Sequence, residues 1–473
     1  MNESKTLPLG RILIATALFF TSIHFCFSVK AQTIASVIMG LPLLAVLILP
    51  VKQAPSFVFY YACMCFCIAE RTIYLTSFFR IYPQEIIIWF LFFYLLFTRW
   101  ATQEKSMVPV TGKIFAALVA LGIITAMNHE IEFFDRVLFY AKGALSFLPI
   151  FFCVRRVVSS ERVLQTACIF LVAAAAVASL MHIADFHGWN IAKILFGETE
   201  KEAYVAYREE MLGFANPFYR SFGIHTLPIF MTCSIYLIFF ITLYLYQASK
   251  NQKLKIFLRV AQLAAVVLIF ESGYRSIWIA FMISAALYGM HQGKKGILGL
   301  ILLAVAVVVL LPQSARGRLG GLYGETQDTS VQERTHLVEN AIQIVRDEPL
   351  LGRGWSSAGL AHSDILQFAA DAGVGTAAAF LLFYGGILFQ LYRRFRQAKR
   401  QKHHLESHCM IVFFSALAGY LFIFSVNSHL NVQETFIAFW LMLAFGAKLA
   451  TLPVGESAST RSSSEPLIGT RLQ

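Results

Sequence analysis

Apolar runs long enough to cross a bilayer recur along almost the whole chain, and this recurrence limits the fold more than any other feature. Lipid offers no partner to a backbone amide or carbonyl, so each such run must close its hydrogen bonds within itself, as an α-helix does. Hydrophobic residues make up 58% of the 473 and charged residues only 14%, against roughly a quarter charged in soluble domains. The expected fold is all-α, a polytopic transmembrane helix bundle of about 12–14 spans, with a helical outer segment between late spans.

Counting runs able to cover ~30 Å of hydrocarbon places helices near 11–28, 32–50, 56–74, 84–98, 113–127, 137–154 and 163–183. Seven more fall near 222–246, 255–271, 275–290, 296–312, 366–391, 410–427 and 434–450. The fourth and fifth are short and fit re-entrant segments equally well. Lys5 and Arg11 before an apolar stretch that ends near Val29-Lys30-Ala31 suit either a first span or a cleaved signal peptide.

The formal charge is +12, yet the basic residues cluster in short segments between apolar runs and form no basic face, which argues against nucleic acid. Most of them fall on one side when the N-terminus is placed inside, as the positive-inside rule requires. Two long segments, 184–221 and 313–365, then face outward. The membrane domain covers 1–451, and the Ser- and Thr-rich stretch 452–473 is expected to be a disordered cytoplasmic tail.

The eight cysteines all lie in or beside apolar runs, where buried free thiols usually sit. In the triplet Cys63, Cys65, Cys67 only the first and last share a helical face, so a four-ligand zinc site is not expected there. Asp328, Asp347, Asp364 and Asp371 are scattered, form no Asp-X-Asp pair, and read as caps or solvated charges.

Three basic residues fall near expected outer helix N-termini. Ser272-Gly273 breaks one apolar run, and Ser272 as a cap places Arg275 in the first turn of the next helix. Ser330-Val331-Gln332-Glu333 has capping-box spacing, which puts Arg334 in the first turn of a helix near 331–347. His362 precedes Ser363 and Asp364, both good caps, where the chain re-enters the membrane. Free amides, the helix dipole and a bidentate guanidinium together suit a diphosphate. Taken singly, Arg275 reads as a headgroup anchor, Arg334 as a solvated helix residue and His362 as a structural histidine. Only their joint order points to a site.

That order resembles the O-antigen ligase and polymerase family of membrane glycosyltransferases. The resemblance covers about 215–390. It rests on Ser272-Gly273-Tyr274-Arg275, Glu333-Arg334, Asp347-Glu348-Pro349-Leu350-Leu351-Gly352-Arg353-Gly354, Ala361-His362-Ser363-Asp364, Gln367, and Asp371-Ala372-Gly373-Val374-Gly375. Many members carry Asn after the histidine, where this chain has Ser363. Asn216-Pro217 and Arg220-Ser221-Phe222-Gly223 resemble the family's outer loop, so Arg220 and His225 enter as further candidate contacts.

The resemblance implies transfer of a glycan from a polyprenyl diphosphate carrier to a hydroxyl acceptor, on the periplasmic face of the inner membrane and without a metal or other cofactor. Arg275 and Arg334 would hold the diphosphate, and His362 would take or orient the acceptor's proton. The expected partners are the carrier-linked glycan, lipid A-core or another glycan acceptor, and membrane lipids. A ligase and a polymerase share this chemistry. A glycolipid flippase is the alternative from another class, but the chain shows no inverted repeat or matching pair of Gly-broken helices.

Overall fold

The computed structural model describes residue 49 and residues 54–68, 73–74, 80–81, 83–98, 108–126, 143–186, 228–271, 274–293, 296, 329–354, 361, 363–427 and 433–452. Thirteen helices run through them. They are α1 (Ala54–Ile68), α2 (Pro83–Thr98), α3 (Val110–Ala126), α4 (Phe147–Val157), α5 (Glu161–Phe186), α6 (Pro228–Ala248) and α7 (Gln252–Glu271), then α8 (Arg275–His291), α9 (Thr329–Asp347), α10 (Asp364–Ala372), α11 (Val374–Arg400), α12 (His404–Val426) and α13 (Gln433–Thr451). Among the described residues, α11 and α12 are long and apolar enough to cross a membrane, and shorter apolar helices lie within 87–96, 110–122, 232–248 and 438–451. The run expected at 11–28, and nearly all of those at 32–50 and 296–312, lie outside the described residues.

The helices follow the apolar windows, with two departures. The run expected to be helical over 56–74 stops at Ile68, and Ile73–Tyr74 instead pairs antiparallel with Arg80–Ile81. Glu70, Arg71 and Thr72 interrupt the apolar pattern there, and the β-branched and aromatic pair beyond them suits a strand. The second departure is larger. The run expected as one helix over 366–391 begins two residues earlier and is two helices, α10 and α11, broken at Gly373 with φ of 86°.

One apolar core holds the bundle together. Its centre is aromatic: Phe115, Phe147, Phe368, Phe380, Phe424, Phe439 and Trp440 are fully buried. Phe368 brings α10 into this cluster, 5.3 Å from the Phe115 ring and 5.1 Å from the Phe380 ring, while Phe424 meets Phe439 edge-on at 4.5 Å. Trp440 directs its indole N–H to the Gly143 carbonyl at 3.1 Å, which satisfies its one polar group. Lipid tails are as apolar as leucine, so such helices are held by packing rather than by exclusion of water. Small residues allow the closest approach. Gly419 of α12 lies against Ser284 and the Ala280 carbonyl of α8, and a Cβ there would collide with both. The Tyr236 hydroxyl of α6 bridges this seam, 2.6 Å from both Ser284 Oγ and the Ala416 carbonyl. The five cysteines whose side chains are described are buried, with no disulfide among them.

Candidate active site

The seam between α8 and α12 fixes the start of α8, and Arg275 is its first residue. Tyr274, extended at φ −88° and ψ 99°, takes the N-cap position without a side-chain cap. The cap expected from Ser272 is therefore moved to Tyr274; Ser272 itself lies outside the described residues. Arg275 is partly buried.

The first turn of α8 is tied through one residue to two other helix ends. Asn427, just past the end of α12, donates from Nδ2 to Ser276 Oγ at 2.8 Å, while its carbonyl accepts the Asp364 amide at 3.1 Å. Ser276 follows Arg275, and Asp364 opens α10. The N-termini of α8 and α10 therefore meet across a single asparagine.

Ser363 caps α10 as the sequence indicates: its backbone is extended and its Oγ accepts the Leu366 amide at 3.3 Å. Just before the cap, the fully buried Ala361 donates its amide to Gln367 Oε1 at 2.8 Å. Gln367 Nε2 in turn donates to Asp371 Oδ2 at 2.7 Å. His362, between Ala361 and Ser363, lies outside the described residues, as do Arg220 and His225. The backbone on both sides of His362 is nonetheless held, by Gln367 on one side and by the Ser363 cap on the other.

The third element is α9. Its inward stripe, Ala341 and Ile344 with Val345 beside them, packs on Ala361, Leu366 and Ala370. Helix α9 begins at Thr329, ahead of the capping box expected at Ser330, so Arg334 falls in its second turn rather than its first. Arg334 is seven residues before Ala341 in the same helix.

Two expectations about the aspartates need correction. Asp364 and Asp371 are not solvated charges; both are fully buried. A carboxylate in the first turn of a helix is favoured by the dipole, which suits Asp364, and Asp371 is reached by the amide of Gln367 one turn away. Asp347 fits the solvated reading: it is about half exposed and faces Arg353 at 3.9 Å. Asp328 lies outside the described residues. Sequence reasoning also missed Asn427, which reads as the last residue of an apolar span, and gave Gln367 no role. The one available signal was that Asp364, Gln367 and Asp371 recur at three- and four-residue spacing along one helical face.

No curated protein matches the chain. Residues 260–381 match the family model described as O-Antigen ligase. That stretch takes in Arg275, Arg334, His362 and the break at Gly373, while Arg220, His225 and Asn427 fall outside it. By this match, which covers most of α7 through the first turns of α11, the chain carries the domain of the O-antigen ligase family.

Proposed function

We propose that the protein is a polytopic inner-membrane glycosyltransferase that moves a glycan from a polyprenyl diphosphate carrier to a hydroxyl acceptor, most simply an O-antigen ligase acting on lipid A-core. The match of 260–381 to the O-Antigen ligase family model supports the coarser statement: a membrane protein of lipopolysaccharide or polysaccharide biosynthesis, with ligase- or polymerase-type activity on a lipid-linked glycan. The observation that supports the finer reading is the meeting of the α8 and α10 N-termini at Asn427, one residue after Arg275 on one side and two after His362 on the other.

In this reading the acceptor oxygen attacks the anomeric carbon opposite the diphosphate. A new carbon–oxygen bond forms as the sugar–phosphate bond breaks, with inversion and without a metal. The bonding pair leaves on the diphosphate, whose growing charge Arg275 and Arg334 stabilise. Neutral His362 takes the acceptor's proton. Segments 184–221 and 313–365 face the periplasm and hold the glycan, and both termini are cytoplasmic.

The test uses the purified full-length protein with a polyprenyl diphosphate-linked glycan and an acceptor. Release of free polyprenyl diphosphate is expected, whereas a transporter leaves the carrier intact. Arg275→Ala and Arg334→Ala should each remove ~3 kcal/mol of transition-state stabilisation, over a hundredfold in rate. Lys should rescue little, because it lacks the planar fork. Full turnover in both alanine variants would end the diphosphate assignment, and loss of turnover in EDTA restored by a divalent ion would end the metal-free mechanism. In a deletion strain, unattached polymer on its carrier indicates a ligase, and single capped repeat units indicate a polymerase.

A further inference from the structure

A helix that ends inside a bundle leaves its last four carbonyls without intrahelical partners, and the next helix begins with free amides. At the α10–α11 break these groups can be followed one by one. The Ala369 carbonyl accepts the Gly373 amide at 3.0 Å, and the Ala372 carbonyl accepts Thr376 Oγ1 at 2.8 Å. The other two are closed from outside the break: Ala370 accepts the Arg353 amide at 2.9 Å, and Asp371 accepts the Gly354 amide at 3.0 Å. In return, the Val374 amide, the first of α11, donates to the Pro349 carbonyl at 2.9 Å. The segment 349–354 is thus stapled to the break by three backbone hydrogen bonds.

Two glycines make so close an approach possible. Gly352 has φ of 66°, and a Cβ there would lie 2.5 Å from the Ala370 carbonyl oxygen. Gly373 has φ of 86°, and its Cβ would overlap the Leu350 carbonyl. Any other residue would be strained by backbone angle and by contact at both positions. The charged side chains of the segment matter less. Arg353 reaches Glu348 at 3.3 Å, but both are about half exposed, where an ion pair contributes little.

Segment 349–354 follows α9 directly, through the Glu348 amide bonded to the Ile344 carbonyl and the Gly352 amide bonded to the Glu348 carbonyl. We propose that 349–354 is a positioning clamp: by closing the α10–α11 break it fixes the C-terminal end of α9, and so sets where Arg334 stands relative to the Arg275 end of α8. The inference rests on the diphosphate role proposed above for the two arginines. Gly352, Gly373 and the Val374 amide are then positioning groups that never touch substrate.

The clamp can be loosened by one substitution. Val374→Pro deletes the amide that meets Pro349, and the proline ring pushes that carbonyl away. Proline is well tolerated at the first position of a helix, and Gly373 already has, at 159°, a ψ that a following proline accepts. The Val374 side chain is 46% exposed, so Val374→Ala serves as a control that keeps the amide. Two readouts are made on full-length protein in lipid nanodiscs, after native cysteines are replaced. The first is the distance distribution between spin labels at Asn340 of α9 and Leu382 of α11, both exposed. It should shift or broaden in Val374→Pro and not in Val374→Ala; an unchanged distribution overturns the clamp whatever the activity. The second is turnover. Val374→Pro should lower kcat at least tenfold alone but add nothing to Arg334→Ala, whereas equal losses in both backgrounds reveal a general structural defect and overturn the inference. A silent Arg334→Ala would refute the diphosphate reading instead, and the label distances would still decide whether the clamp places α9.

Discussion

Gln367→Leu tests how firmly the backbone before His362 is held. Leucine has nearly the volume of glutamine, so the cavity term is small, but two buried groups lose a partner. The Ala361 amide, in a fully buried residue, loses its acceptor at 2.8 Å, and Asp371 Oδ2 loses its donor at 2.7 Å. A stranded neutral amide costs ~1–2 kcal/mol, and a hydrogen bond to a carboxylate contributes ~2–3 kcal/mol. Burying a more apolar side chain returns about 1 kcal/mol, which leaves a net loss of about 2–4 kcal/mol. The loss falls on one segment, so it should appear first as local opening. Amide hydrogen exchange across 361–372 should accelerate about a hundredfold for a 3 kcal/mol loss, with a lower unfolding midpoint in detergent and reduced glycan transfer. Exchange and midpoint both unchanged from the parent protein would refute the claim that Gln367 secures this turn.

Other substitutions separate the parts of the framework. Gly419→Val forces α12 away from Ser284 and Ala280 and should cost ~1–3 kcal/mol of stability while displacing Arg275, seen as a fall in kcat larger than the fall in melting temperature suggests. Asn427→Ala removes the bond to Ser276 and should cost about 1 kcal/mol; Ser276→Ala should cost the same, and the double variant no more, when unfolding is measured as a mutant cycle. Arg394 joins Glu406 at 3.0 Å and the Leu452 carbonyl at 2.7 Å. Arg394→Ala should lose about 2 kcal/mol of stability yet keep kcat, because it lies twenty residues of helix from the break, roughly 30 Å.

The helices were legible because each apolar window carries its own signal: α5, α7, α8, α12 and α13 all begin or end within a few residues of the windows read from sequence. What was not legible depends on partners distant in the chain. Nothing local in Ala372-Gly373-Val374 distinguishes a broken helix from a continuous one, since a lone glycine is tolerated in either; the break stands because a segment some twenty residues upstream satisfies it. Asp364 and Asp371 read as caps or solvated charges because burial of a carboxylate depends on donors that only the fold supplies. Asn427 was hidden in the same way: its partners Ser276 and Asp364 come from two other helices. Arg275 was placed well because the end of one apolar run and the start of the next mark it, whereas the polar helix α9 has a weaker boundary, and Arg334 moved back by a turn.

The helix break and the turn at 349–354 have one physical cause. Backbone carbonyls freed where water does not reach them each cost several kcal/mol unless protein satisfies them, so a helix break inside the bundle must bring its own donors. Here they are the amides of Arg353 and Gly354, from a turn kept close to the break by Gly352. A turn that must meet a helix end at backbone distance needs glycine on both sides, which accounts for Gly352 and Gly373 in this chain. The same geometry fixes the order of the other pieces. Helix α9, which contains Arg334, must end where the turn begins, and α10 must begin where Ser363, the residue after His362 in the chain, caps it. On this account the 347–376 pattern is first a solution to hydrogen bonding at a helix break inside the bundle, and the basic residues on either side of it use the fixed framework it provides.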